Sequence, residues 1–230
     1  MDLLLLFQET ASDVAQKASE ANEFNLWKII SSTPTGTAIF FIQLVLSFLT
    51  LYIFVERYMT ITRAGKIDES FMNNIRVSIQ NGNMQAAKNM CQSVNAPMAR
   101  MVEKGLSRIG KPLNDVHAAV ENVGNLELQK LEKNLSLLAS VAGLAPMIGL
   151  LGTVVGMIIS FQAMSTATNI TPAVLSDGIY HALIATAFGL TVGIIAYAGY
   201  NFLVAKLDSV IYKMENTTVE FIDLLQEPAA

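Results

Sequence analysis

The sequence predicts an all-α membrane protein that crosses the bilayer three times. Residues 36–55 form a run of 20 residues without a charge, and between Lys133 and Lys206 the only charged residue is Asp177. A helix that crosses the hydrocarbon core needs about 20 predominantly apolar residues, so the first run holds one span and the second has room for two. A soluble protein would need buried helices of unusual length and uniformity to produce this pattern.

The three spans define the organisation of the whole chain. The link between the second and third spans is predicted to be a loop, because it carries Thr-Asn-Ile-Thr-Pro and the cap Ser176-Asp177-Gly178. From the N-terminus, the predicted segments are a non-cytoplasmic segment at 1–35, the first span at 36–55, a cytoplasmic helical domain at 56–134, the second span at 139–164, a short non-cytoplasmic loop at 165–178, the third span at 179–205 and a cytoplasmic tail at 206–230.

The sidedness of the spans follows from the placement of lysine and arginine. Residues 56–134 hold eleven of these basic residues, the segment before the first span holds two and the link at 165–178 holds none. Because basic residues are enriched in cytoplasmic loops, the region 56–134 and the tail are predicted to be cytoplasmic. The N-terminus and the link then face the opposite side.

The N-terminal segment is predicted to lie at the membrane surface. The apolar run Leu3–Phe7 is too short to cross a bilayer, and it lacks the basic start and nearby cleavage site of a signal peptide. The sequence Asn25–Ile30 suits an interfacial helix with Trp27 at the depth of the lipid headgroups.

Composition and cysteine usage exclude several classes of function. Acidic residues outnumber basic ones, 19 to 15, so no basic surface for nucleic acid is expected. The single cysteine, Cys91, rules out an intrachain disulfide framework and a multi-cysteine metal site, and is predicted to be a small buried side chain. The sequence shows no nucleotide-binding loop, metal cluster or nucleophile–base set, so neither an enzyme nor a cofactor is predicted.

The region between the first and second spans is predicted to be helical. Turn sequences at Asn81-Gly82-Asn83, Asn95-Ala96-Pro97 and Gly110-Lys111-Pro112 separate helices at Met84–Ser93, from about Met98, and from Leu113. From Leu113 the apolar spacing continues without a breaker into the second span, which predicts one long helix. The tail keeps a similar spacing and is predicted to prolong the third span, so that both helices extend into a cytoplasmic bundle.

The second and third spans each carry a stripe of small residues, whereas the first carries no motif and is predicted to be a lipid-facing anchor. The stripes contain Ala142, Ala145, Gly149, Gly152, Gly156, Ser160 and Ala163, and then Ala182, Ala185, Thr186, Gly189, Gly193 and Ala196. Thr153 and Thr186 lie at the edges of the stripes. Small residues allow close helix packing in lipid, and with one threonine each the stripes also suit a narrow polar groove shared by subunits or by a partner helix. Pro146 can leave a backbone carbonyl free for a lumen or water.

The spans lack the charge that an ion pathway usually needs at membrane depth. They contain no Lys, Arg, Asp or Glu, and His181 is the one titratable candidate apart from tyrosines. Two interpretations remain open. Either a partner supplies the ionisable group on its own membrane helix, or no ion moves and the protein is a packing scaffold.

Two long runs resemble the ExbB/TolQ family, and ExbB most closely. Residues 145–157, APMIGLLGTVVGM, look like the pattern AP-x-x-GL-x-GTV-x-G, and residues 178–190, GIYHALIATAFGL, resemble GIAEAL-x-ATA-x-GL. The three-span layout and the sequence Leu-Glu-Lys-Asn-Leu at 131–135 agree with it. The resemblance extends from about Gly36 to the C-terminus.

The resemblance implies a subunit of an ion-driven motor in the bacterial inner membrane, with a periplasmic N-terminus. Such subunits form a homopentamer whose second and third helices surround two membrane helices of an ExbD- or TolR-like single-span partner. An aspartate of the partner carries the proton, and Thr153 and Thr186 match the pore threonines beside it. Rotation then transmits work to a TonB-like protein. The expected pore-lining or packing residues are Pro146, Gly149, Gly152, Gly156, Ala182, Gly189 and Gly193.

His181 departs from the pattern, because ExbB and TolQ usually carry glutamate at this position. An imidazole has a reference pKa of about 6.5 and is neutral or cationic, never anionic. Both a packing role and a role in gating or ion entry stay open for His181. Threonine hydroxyls could also help to bind sodium beside a partner carboxylate, so proton and sodium both remain candidates.

Within the same superfamily, a TolQ-like or other envelope motor is the alternative to an ExbB-like role in outer-membrane import. A flagellar MotA-type stator fits less well, because that family has four spans and a larger cytoplasmic domain. The alternative from another class is a membrane scaffold that conducts no ion. A neighbouring reading frame that encodes one span with a membrane aspartate would favour a motor.

Overall fold

The structure is a computed structural model that describes residues 34–67, 70–166 and 172–226. All regular structure within these ranges is α-helical, without strands. In chain order the helices are α1 (Pro34–Ala64), α2 (Ser70–Gln80), α3 (Met84–Ser93), α4 (Pro97–Leu106), α5 (Leu113–Glu132), α6 (Leu135–Thr166) and α7 (Pro172–Gln226). The predicted interfacial helix Asn25–Ile30 and the short run Leu3–Phe7 lie outside the described residues.

Three stretches of helix are long and apolar enough to cross a membrane. By length and composition they are Gly36–Ala64, Leu113–Thr166, which includes both α5 and α6, and Gly178–Gln226. On α1, large apolar side chains such as Phe41, Phe48 and Leu51 are exposed. A helix that is apolar around its whole circumference is a buried or membrane helix, and exposed aromatic and aliphatic groups on α1 suit contact with lipid. The predicted all-α class with three membrane-spanning helices is confirmed.

The chain divides into two compact units. Of the described residues, the first contains those from 34 to 43 and from 148 to 188, and the second contains those from 44 to 147 and from 189 to 226. Thus α1, α6 and α7 each contribute residues to both units. In the first unit, the rings of Phe40 and Phe188 pack at a centroid distance of 5.1 Å.

The second unit contains the four shorter helices α2–α5, which pack in sequence, each on the next. Its core includes the fully buried Met98, Val120 and Phe221. A Cβ atom on Gly105 would overlap the Phe221 ring, so only glycine lets α4 lie this close to α7. The predicted helix Met84–Ser93 is confirmed, and the helix predicted from about Met98 begins at Pro97. Cys91 is buried, as predicted, and burial raises the pKa of its thiol to about 12.

A buried carboxylate anchors α5 in the second unit. Glu127 accepts hydrogen bonds from Arg100 at 2.5 Å and from Lys130 at 2.6 Å. Burial alone would raise the pKa of Glu127, but the bonds from these two cations outweigh it and lower the pKa below its usual 4.5. Arg100 and Lys130 therefore stabilise the charged form of Glu127.

The prediction of one unbroken helix from Leu113 into the second span is wrong. Helix α5 ends at Glu132 and α6 begins at Leu135, with Asn134 in the left-handed region at φ 66°. Asparagine tolerates this conformation better than most residues because its short polar side chain bonds locally. Near the break, the buried guanidinium of Arg57 donates to the Lys130 carbonyl at 3.1 Å and also pairs with Glu56. It supplies a donor to one of the carbonyls that the helix end leaves without a helical partner.

The third long helix starts earlier than predicted and has no interior break. Helix α7 runs from Pro172 to Gln226, so Ser176-Asp177-Gly178 lies inside it instead of in the predicted loop before it. Proline is favoured at a first helical position, where its missing N–H has no partner to lose. A Cβ atom on Gly178 would overlap the Ser160 hydroxyl, so this glycine serves close packing against α6. The predicted extension of the third span into the tail is confirmed.

Candidate ion pathway

In the first unit, α6 and α7 approach each other through glycines. A Cβ atom added at Gly152 would lie 3.0 Å from the Cβ of Ala185, and one at Gly156 would lie 2.8 Å from the Cβ of Ala182. At Gly149 the same atom would lie 3.1 Å from the Ala185 carbonyl oxygen. Small residues permit this approach, which brings the polar backbone of one span against the next.

The two candidate threonines donate their hydroxyl protons to adjacent backbone carbonyls of α6. Thr186 on α7 donates to the Gly149 carbonyl at 2.8 Å, and Thr153 on α6 donates to the Leu150 carbonyl at 2.6 Å. A hydroxyl has one proton and two acceptor lone pairs. Since both protons are engaged, each threonine oxygen can offer lone pairs only. Such oxygens suit a neutral acid, a hydrated proton or a metal cation.

Gln43 is a polar residue of this region that the sequence analysis missed. Its side chain is fully buried, and its amide nitrogen donates to the Ala185 carbonyl at 2.9 Å. The sequence predicts that the first span is a lipid-facing anchor without motif content, but this span also binds α7 through the buried amide. Gln43 is the one amide in the uncharged run at 36–55, and polar residues inside a span usually face the protein interior. That signal could have identified it.

His181 lies on α7 beside the buried Ala182 and is itself partly exposed. Its ring meets the ring of Tyr180 edge-on, at a centroid distance of 6.0 Å and an interplanar angle of 64°. The first unit thus contains Thr153, Thr186 and His181 together with the packing residues Gly149, Gly152, Gly156 and Ala182.

The remaining candidates, Pro146, Gly189 and Gly193, belong to the second unit. A Cβ atom on Gly193 would lie 2.5 Å from the Cγ of Pro146 and 3.1 Å from the Ala142 carbonyl oxygen. Proline removes the N–H that would have bonded that carbonyl within α6. The Ala142 oxygen therefore lies against the α7 backbone, and Pro146 and Gly193 act together as a packing pair.

Within the described ranges, no group of three or more His, Cys, Asp or Glu side chains could hold a metal ion. The polar groups of the site are hydroxyls, one amide and backbone carbonyls. Residues 93–216, more than half of the chain, match the MotA/TolQ/ExbB proton channel family. The chain belongs to this family. It is therefore a membrane protein of a transport or channel type and not a member of an enzyme family.

Some relatives that match the chain are named ExbB, and others are named TolQ. It is 30% identical to a biopolymer transport protein, an ExbB homologue, from Methanothermobacter thermautotrophicus. The match covers 70% of this chain and 54% of the relative. It is 39% identical to the Tol-Pal system protein TolQ of Haemophilus influenzae over 46% of each chain. It is 30% identical to the TolQ of Pseudomonas aeruginosa over 87% of this chain and 92% of the relative. The chain thus matches only about half the length of the first two relatives, and these identities do not separate ExbB from TolQ.

Proposed function

We propose that this chain is the ExbB-like subunit of an inner-membrane motor that couples a proton gradient to TonB-dependent outer-membrane transport. The observation that carries the proposal is the pair of threonine hydroxyls that donate hydrogen bonds to adjacent carbonyls of α6. They lie at a contact where glycines let α6 and α7 approach closely. These oxygens have no proton left to donate, and none of the three spans carries a Lys, Arg, Asp or Glu, with His181 as their one titratable candidate apart from tyrosines. We infer that the carboxyl that carries the proton comes from a partner.

The threonines favour a protonated partner carboxyl over an ionised one. A neutral carboxyl can donate its proton to a threonine lone pair. A carboxylate can only accept a hydrogen bond. It would meet a hydroxyl that already donates its proton in a hydrogen bond to the Gly149 or Leu150 carbonyl. For the carboxylate to be stabilised, that hydroxyl must rotate away from its carbonyl. Protonation of the partner would thus be linked to the side-chain rotation of Thr153 and Thr186, and through Gly149 to the α6–α7 contact.

The assembly follows from the family resemblance. We propose a homopentamer whose α6 and α7 surround two helices of an ExbD- or TolR-like single-span partner that carries a membrane aspartate. The whole complex then drives a TonB-like protein. The proposed spans are residues 36–55, 139–164 and 179–205, and the link at 165–178 is periplasmic. His181 would lie near the periplasmic end of this path.

Basic and aromatic groups support a cytoplasmic position for the region 56–134 and the tail. In the second unit, the Lys206 ammonium lies 3.9 Å above the centre of the Tyr58 ring, and Lys213 donates to the Gly65 carbonyl at 3.2 Å. Tyrosine and lysine are typical of the boundary between bilayer and water, and basic residues of its cytoplasmic side. The periplasmic N-terminus and cytoplasmic C-terminus are inferred from this distribution.

A TolQ-like role in another envelope motor is the second candidate. The match to the TolQ of Pseudomonas aeruginosa over 87% of this chain favours it. The same ion pathway would serve either motor. A scaffold that conducts no ion would account for the glycine contacts between α6 and α7 and for the hydrogen bond by which Thr186 joins them, and the flux of threonine variants distinguishes it from a motor.

Replacing the threonine hydroxyls tests the proposal. In a complex co-purified with the single-span partner and reconstituted in liposomes, Thr153→Val or Thr186→Val should lower proton flux by about tenfold, which corresponds to about 1.4 kcal/mol. Thr186→Ser keeps a hydroxyl and should retain most of the flux. The flux is followed with a pH-sensitive dye inside the liposomes.

The matched control is Thr50→Val on α1. Thr50 is also buried, and its hydroxyl donates within its own helix to the Leu46 carbonyl at 2.8 Å. This change should leave flux and complex assembly unaltered. Parental flux in both Thr153→Val and Thr186→Val would refute the assignment of these residues to the ion pathway.

A further inference from the structure

Gln43 reaches from α1 to both of the other spans in the first unit. Its amide nitrogen donates to the Ala185 carbonyl of α7 at 2.9 Å. The same nitrogen would lie 3.3 Å from a Cβ atom on Gly149 of α6, so it rests on the bare backbone of that glycine. The hydrogen bond of Thr186 ends on the carbonyl of this same Gly149. The Gln43 amide therefore lies next to both partners of the Thr186–Gly149 hydrogen bond, at Gly149 on α6 and at Ala185, the residue before Thr186, on α7.

The orientation of this amide is determined by its partner. A backbone carbonyl can only accept, so the Gln43 side chain must present its nitrogen to Ala185. Its carbonyl oxygen, Oε1, is then buried and has no hydrogen-bond donor among the residues that the structure describes. A buried acceptor without a donor lowers stability, and an apolar side chain of the same shape would avoid this loss. Stability alone does not account for a glutamine here.

We propose that Gln43 is a positioning residue for Thr186. By binding the carbonyl of the preceding residue, Ala185, it fixes one turn of α7 relative to α6. This keeps the Thr186 hydroxyl on the Gly149 carbonyl and its lone pairs turned to the ion pathway. Gln43 does not meet the ion itself, because its side chain is fully buried within the chain. The inference rests on the proposed role of Thr186 in ion flow.

The decisive variant is Gln43→Met, which keeps the length and unbranched shape of the side chain but removes the amide. In the complex with its partner, the thermal midpoint of Gln43→Met should equal or exceed that of the parent, because an unpaired acceptor is gone. Proton flux should nevertheless fall by about tenfold, since small misplacements of an aligned group have large effects on rate. Thr50→Val, which removes a hydroxyl that bonds only within α1, to the Leu46 carbonyl, should change neither quantity.

A double substitution distinguishes positioning from a general effect on packing. If Gln43 acts through Thr186, Gln43→Met should cause no further loss of flux in a Thr186→Val background, whereas independent effects would multiply. Parental flux in Gln43→Met, or a full second loss in the double variant, would refute the positioning role. If Thr186→Val itself has parental flux, the proposed role of Thr186 in ion flow fails instead. The two failures are thus separable.

Discussion

The hydroxyl of Thr186 joins two helices and leaves an oxygen that can accept but cannot donate. Its bond to the Gly149 carbonyl exists because Gly149 has no side chain to keep the helices apart. A serine could make the same bond, but a valine could not, although it has nearly the same volume. In the proposed pathway, the chemistry would depend on the position of this one hydroxyl proton.

His181 provides the prediction at the scale of one residue. Histidine is the side chain whose charge changes between about pH 5 and pH 8. If His181 takes part in ion entry, His181→Gln should flatten the pH dependence of proton flux in that range, while an amide preserves hydrogen bonding. The measurement is the flux of parent and variant complexes at a series of pH values with a constant gradient.

An identical pH profile for His181→Gln and the parent would make His181 a packing residue. Its ring lies edge-on to Tyr180, so Tyr180→Phe, which keeps the ring, is the matched control. It should leave the profile unchanged.

The sequence predicts a role for Thr153 and Thr186 because each lies at the edge of a stripe of small residues in an apolar span. It did not identify Gln43, for a physical reason. A lone amide in a span signals an interior position, but its partner is the Ala185 carbonyl, and every residue has a carbonyl. Hydrogen bonds to backbone atoms leave no mark on the partner's side chain. Only the structure could connect residues 142 positions apart.

At the scale of helices, the contact between α6 and α7 depends on where its glycines lie. A Cβ atom on Gly156 would lie 2.8 Å from the Cβ of Ala182, which has no flexibility to yield, whereas one on Gly143 would meet nothing within 4 Å. Both glycines are on α6. They form a matched pair for testing helix packing.

Gly143→Ala should raise the free energy of unfolding by about 0.5–1 kcal/mol, because alanine loses less backbone entropy in a helix. Gly156→Ala has the same intrinsic gain, but overpacking costs about 1–3 kcal/mol and should make the variant less stable than the parent. Thermal unfolding in detergent measures both. Equal stabilisation by the two substitutions would contradict the close contact at Gly156.

The break between α5 and α6 shows what helical periodicity conceals. Leu128, Leu131 and Leu135 keep a helical spacing across it, so the apolar pattern predicts continuity. The break in the helix involves one residue at positive φ, Asn134, together with an outside donor for a freed carbonyl. Arg57 provides that donor from another helix. Turns that contain glycine, such as the one at Gly82, were predictable from local sequence because their backbone demands are local.

The whole molecule separates its charge from its membrane helices. Eleven of its 15 basic residues lie between residues 56 and 134, and the ion pairs of Glu56 and Glu127 belong to the second unit. The polar groups that would meet an ion are uncharged and lie in the first unit. A chain of this kind can shape an ion pathway, but it cannot carry a titrating carboxyl through it. It should conduct only in a complex.

The most direct test compares ion flux through this chain alone and through its complex with the single-span partner, with proton and sodium gradients applied separately. We expect no flux from the chain alone, proton flux from the complex, and loss of that flux when the membrane aspartate of the partner is replaced by asparagine. Equal flux with and without the partner, or a complex with an intact aspartate that conducts neither ion, would contradict the account.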